Sequence, residues 1–445
     1  MISPEDIAAA KQTLGGRLAA LRQAEGHNQH GLARMLFTSR SSVANIERGR
    51  QVGTRDLWER CDTVLHANGA LLHDYDALRE LEARQRREAA TAPAIMKVAR
   101  EPPHAESRSA GGDVRSASSS LETVREGLRA ALMTYRPARI RAGAPSVRDV
   151  WARTVSAHLA YQRADYDAAA RMLPTLLDDA QSLTLTTSGR QREQALRVVA
   201  ASHLAASKLA CKVGDGELGW LAADRANTAA NLAGARALST VSTHQAACAL
   251  LLLPGRAAQA EALAIAAADD LGQPSSNPDA DRLSARGALL LFAALNAGHR
   301  GDHADAQTYL EAASAAANQL GRDGNRMWTA FGPSNVAIHE MSIAVALGQP
   351  DQAVKIGERL DVSRLPAGLG GRRAQVHLEL AAAHAQRPEA DSVAVLHLLE
   401  AERVAAQAVY VNIDARDLLT TLLNRERRSA TPGLRPLAQR AGVAA

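Results

Sequence analysis

The chain has 445 residues, enough for two or three domains or for one small domain and a long repeat array. Hydrophobic residues make up 46% of it and aromatic ones only 3%, so the core must be built from Ala and Leu; an all-α fold is expected and a sheet protein is not. The formal net charge is +5, and that whole excess falls between Lys11 and Arg60, where nine Lys and Arg meet four Asp and Glu, so one short window and not the whole surface is suited to a polyanion.

In chain order, LGGRLAALRQAEG puts Leu14, Leu18 and Leu21 on one helical face. Asn28 to Gly49 follows with the spacing of two short helices joined by a tight turn. Asn28 is placed to cap the first, which buries Leu32, Ala33 and Leu36; Ser39 is placed to cap the second, which buries Val43 and Ile46. Arg40, Ser41, Ser42, Ala44 and Asn45 are then left pointing outward near the start of that second helix. Leu57, Cys61 and Val64 form a further stripe, and Leu71, Leu72, Tyr75, Leu78 and Leu81 carry helical spacing on to about residue 88. Residues 89–118 are rich in Pro, Gly and Ser without an apolar period and read as a linker.

Order resumes at Ser119, where Ser119 and Glu122 form a capping box ahead of Val124, Leu128 and Leu132, and a second helix start follows at Ser146. From there a degenerate repeat runs on, marked by residue pairs twelve apart: Ala157/Ala169, Ala210/Ala222, Cys248/Ala260, Ala294/Ala306, Met341/Ala353 and Ala382/Ala394. Between the members of each pair lies a break such as RADYD, VGDGE, GHRGDH or LGQPD. TPGLRPLAQRAGV closes the sequence with Leu434, Leu437 and Ala438 on a short helix suited to capping the array.

Two resemblances follow from these residues. Gln29, Leu32-Ala33, the Ser39 to Ser42 run and Glu47-Arg48-Gly49 resemble the phage-repressor (Xre-type) helix-turn-helix family, with Phe37 standing where that family has a turn glycine. The resemblance implies double-stranded DNA as partner, a homodimer on pseudo-palindromic sites, and DNA contacts from Asn28, Gln29, Ser39, Arg40, Ser41, Ser42, Asn45 and Arg48. The pairs twelve apart resemble the tetratricopeptide repeat, whose helical hairpins stack into a right-handed superhelix, although the mean spacing here is 45 residues. The implied layout is a DNA-binding domain at 1–88, a flexible linker at 89–118, a tetratricopeptide-like α-solenoid at 119–427 and a capping segment at 428–445.

No catalytic signature stands out. His339-Glu340 begins a metalloprotease pattern, but Ile343 occupies the place of its second His; the glycine-rich runs lack a phosphate-loop ending. Cys61, Cys211 and Cys248 have no zinc spacing and are expected to be small buried residues in a reducing compartment. No catalytic residue, cofactor or metal is expected, and with no membrane-length apolar run or signal segment the protein is expected in the cytoplasm.

One stretch stands apart in a chain so poor in aromatics: Trp328 and Phe331, followed by Asn335 and His339 one helical turn apart. Domain order of this kind resembles peptide-responsive bacterial quorum sensors, which implies that these four residues line a site for a small-molecule or peptide effector. Packing of Trp328 and Phe331 between repeats is the competing expectation. A repeat body that is purely a protein-interaction scaffold, or a toxin-associated (antitoxin-like) regulator, is the alternative function.

Overall fold

The computed structural model describes residues 4–36, 40–49, 52, 55–91, 114–133, 145–272, 279–426 and 430–443. Among these there are twenty α helices and no strand, as the Ala- and Leu-based composition requires, and no helix is long and apolar enough to cross a membrane. The chain forms two compact units, Met1–Ser107 and Arg108–Ala445.

The first unit contains α1 (Pro4–Ala24), α2 (Gln29–Met35), α3 (Arg40–Glu47), α4 (Arg55–Val64) and α5 (Ala70–Thr91). The expected stripes converge on one core of Leu14, Leu18, Leu32, Leu36, Val43, Ile46, Cys61 and Leu71, joined by Trp58, whose indole NH donates to the Val52 carbonyl. Asp62 is buried because its carboxylate accepts the backbone N–H groups of Leu71 and Leu72, two donors that the first turn of α5 leaves without helical partners.

The second unit opens with α6 (Val114–Met133). The expected start at Ser119 is corrected: the helix begins at Val114, so Ser119 lies inside it. Val124, Leu128 and Leu132 are buried and hold it against the rest of the unit, and that tertiary packing outweighs the modest helix propensity of the serine run before them. Ser146 does start α7 (Val147–Gln162), through a capping box with Asp149.

From there helices alternate in hairpins: α7 with α8 (Tyr166–Thr186), α9 (Gly189–Lys212) with α10 (Gly216–Leu232), α11 (Arg236–Leu251) with α12 (Ala257–Asp270), α13 (Ala280–His299) with α14 (His303–Leu320), α15 (Pro333–Ala346) with α16 (Pro350–Arg359), and α17 (Gly370–Ala385) with α18 (Asp391–Tyr410). Each residue pair twelve apart places one member on each helix of a hairpin. All are buried except the half-buried Cys248 and Ala382, and all but Met341 are small, so the two helices can approach. The breaks carry their own turn chemistry. Ala164, Gly214 and Gly301 take positive φ, and Asp165, Asp215 and Asp302 after them cap α8, α10 and α14.

The first helices of successive hairpins pack side by side, and α17 also reaches α7, so the array turns back on its own beginning. Gln407 on α18 seals that closure, accepting from the backbone N–H of Tyr166 at 2.7 Å and donating to Asp167 at 3.2 Å. The last helices, α19 (Ile413–Asn424) and α20 (Leu434–Arg440), follow on α18, and Leu434, Leu437 and Ala438 are buried in the terminal cluster.

Candidate nucleic-acid interface and enclosed interior

In the first unit α1, α2 and α3 are tied together by side chains that the sequence places apart. Asn28 caps α2, its Oδ1 accepting from Gly31 N at 2.7 Å. The Glu47 carboxylate at the end of α3 accepts a pair of hydrogen bonds from the Arg22 guanidinium of α1 and one of 2.8 Å from the side-chain amide of Gln29 of α2, tying three helices at one nearly dry point. Two glycines allow the close approach. A Cβ on Gly15 would meet the Ile46 carbonyl at 2.2 Å, and Gly49 combines φ of +70° with α1 backbone 2.8 Å from where its Cβ would stand.

This packing fixes the outward face of α3. Val43 and Ile46 point into the core, Arg40 and Arg48 are exposed, and Asn45 is partly exposed. Gln29 is turned to Glu47, so its amide ties α2 to the end of α3. Ser39 and Phe37 lie outside the described residues, as do the side chains of Ser41 and Ser42.

Residues 13–74 match a family model described as a helix-turn-helix domain. The match spans the tie at Glu47, both close-approach glycines and the whole of α3, so this unit carries a helix-turn-helix domain, which supports a DNA-binding regulator. No curated protein and no solved structure matches the chain.

Beyond the helix-turn-helix domain, the four candidate effector residues do not share one groove. Phe331 is 1% exposed, its ring laid on the bare backbone of Gly287 in α13, where an added Cβ would meet it at 1.9 Å. Asn335 is buried too, its Oδ1 without a partner among the described residues and its carbonyl accepting from His339 Nδ1 at 2.8 Å. Trp328 stacks face to face on His158 with centroids 3.8 Å apart. The reason is the path of the α14–α15 connection. It crosses the inside of the closed array with Met327, Trp328 and Ala330 at positive φ, held by paired amides between Gln162 and Asn325 (2.6 and 2.7 Å) and by Lys208 Nζ donating to the Trp328 carbonyl at 2.8 Å.

Two adjoining hollows lie in the body, the first of them against the crossing segment. One, of about 300 Å³, is bordered by Tyr161, Lys208, Lys212, His244, Trp328 and Arg372 among others; the other, of about 340 Å³, by His339, Ser342, Glu379 and Asp414. Arg372 and Gln375 border both, so Trp328 faces the first and His339 the second. Burial pushes Lys208 down to about 7 and Lys212 to about 8, with nearby Arg372 adding to the shift of both. Burial likewise holds His244 and His339 neutral, each at about 3.

Sequence reasoning missed Lys208, Lys212 and Arg372. A signal was present: two lysines one turn apart in α9, a helix buried without a break from Val198 to Ala210. Like charges at that spacing repel, and inside a core they need a reason.

Proposed function

We propose that the chain is a cytoplasmic, sequence-specific transcriptional regulator of the Xre type, acting as a homodimer, with a tetratricopeptide-like body that senses a small molecule. The DNA-binding half rests on one observation. Within a helix-turn-helix domain that carries the chain's positive excess, α3 buries Val43 and Ile46 and turns Arg40 and Asn45 outward, where such a helix meets base edges. In this reading Arg40 and Asn45 read bases, Arg48 meets the phosphate backbone, and Gln29 sets the angle between α2 and α3. Arg40→Ala with Asn45→Ala is expected to weaken specific binding by about 1 to 3 kcal/mol for each base that the pair reads, while low-salt nonspecific binding persists. Electrophoretic shifts on a duplex selected by the parent protein measure this; an unchanged specific shift would sink the assignment.

The body is read as tetratricopeptide-like because small residues lie between the helices of each hairpin and the first helices of the hairpins surround an interior. No catalytic role, cofactor or metal is assigned. An effector acts by binding one arrangement of the array better than another, since equal affinity would shift nothing. One reading helix covers a half-site, so two copies are required, with the body as their contact. Light scattering of the full chain at micromolar concentration should give twice the chain mass, and a monomer both free and on DNA would rule the dimer out.

A further inference from the structure

We propose that the hollow bordered by Lys208, Lys212 and Arg372 is a binding site for a small organic oxyanion, a phosphate or carboxylate head carried on a flat or apolar body. The inference rests on the reading that the body senses an effector, and it names the chemistry of that effector.

Charge is the first argument. Three cationic side chains border the hollow, and none of the described residues bordering it is Asp or Glu. Two carboxylates, Glu379 and Asp414, border the second hollow, and Asp414 lies close enough to Lys212 to favour its charged form, a smaller effect than burial and Arg372, which oppose it. Glu379 is already engaged there, accepting from Ser342 at 2.7 Å and from Gln375. Partnership is the second argument. Among the described residues the side chains of Arg372 and Lys212 make no hydrogen bond or ion pair, and Lys208 uses one donor, on the Trp328 carbonyl. Lys208 is buried and Lys212 and Arg372 are half-buried; a cation withdrawn from water costs free energy unless it is paired, and two lysines one turn apart add to that cost. An oxyanion between them supplies the missing charge, with the Arg372 fork suited to two of its oxygens.

Shape agrees with charge. Tyr161, Tyr166 and Trp328 give the hollow aromatic walls, and Gln245 and Gln375 also border it. Its volume of about 300 Å³ lies at the small end of ligand sites, which fits a metabolite. The shared border at Arg372 and Gln375 gives the body of the ligand room to extend into the second hollow.

The test uses the full chain at pH 7, with sodium pyrophosphate and sodium citrate as probes, each against sodium chloride at matched ionic strength. Thermal unfolding should shift upward by several degrees with at least one probe, and titration calorimetry should give one site per chain. Lys212→Met should weaken binding about tenfold or more while leaving the protein in chloride at least as stable as its parent, because it removes an unpaired charge. Arg372→Gln should do the same independently. Absence of binding by both anions, or binding unaltered in both variants, overturns the inference. Pyrophosphate results apart from citrate tell a phosphate site from a carboxylate site. Anion binding with no change in affinity for selected DNA would keep this site and remove the sensing role. A DNA response to uncharged γ-butyrolactone without anion binding would keep sensing and remove the oxyanion.

Discussion

Phe331→Ala is expected to lower the stability of the helical body by about 3 to 5 kcal/mol, the range for truncating a fully buried aromatic side chain. The ring is 1% exposed and fills the space that Gly287 leaves on α13, so nothing nearby is placed to occupy the void. The cost does not stop at the cavity. Met327, Trp328 and Ala330 hold left-handed backbone, which an L-residue adopts at a cost of roughly 1 to 2 kcal/mol each and keeps only where its surroundings fix it. Phe331 is one of those fixings, along with the Gln162 and Asn325 amide pair and the stack of Trp328 on His158. Urea unfolding of the full chain, followed by helical signal in the transition of the body, measures the effect. A change below about 1 kcal/mol would mean that the crossing segment is not anchored by this ring. Gly287→Ala should also destabilise, for the opposite reason, since the added methyl and the ring claim the same volume.

Acidification from pH 7 to pH 5 is expected to cost the body several kcal/mol, well before its carboxylates are protonated. His158 and His203 are buried and held neutral, chiefly by loss of water; His203 is pushed down to about 4 and His158 well below its usual value. His158 Nε2 donates to the Ala201 carbonyl at 2.9 Å, and its Nδ1 has no partner among the described residues, so a second proton would sit unpaired beneath Trp328 and near Lys208. Because these folded values lie below the unfolded one near 6.5, both states are neutral above it. As pH falls through 6.5 the unfolded chain takes up protons that the folded chain refuses, and stability drops. For His203 the loss at pH 5 is about 2 kcal/mol. His244 and His339 act in the same direction, tempered by the water their hollows admit. Glu379 acts against them, since burial raises its carboxyl. Thermal midpoints measured at pH 7, 6 and 5 should fall progressively, and a flat profile would show that the histidines are solvated.

Local patterns in the sequence determined much of this molecule. The apolar stripes, the Asn28 and Ser146 caps, the residue pairs twelve apart and the Asp-bearing breaks each act within a few turns of helix, so spacing alone located the helix-turn-helix domain and six helical hairpins. The start of α6 escaped because packing of Val124, Leu128 and Leu132 overrode a serine-rich beginning. The expectation of one groove rested on Asn335 and His339 sharing a helix face beside two rare aromatics, with packing of Trp328 and Phe331 between repeats as its rival; in the structure Phe331 and Asn335 are buried in the body, while Trp328 and His339 face different hollows. Only the closure of the array decided this. Helix period tells which face of each helix turns inward, but which inward faces meet depends on small rotations summed over successive hairpins, and no window of sequence contains that sum. Hence Tyr166 meets Gln407, Gln162 meets Asn325, and Arg372 comes to border the same hollow as Lys208 and Lys212.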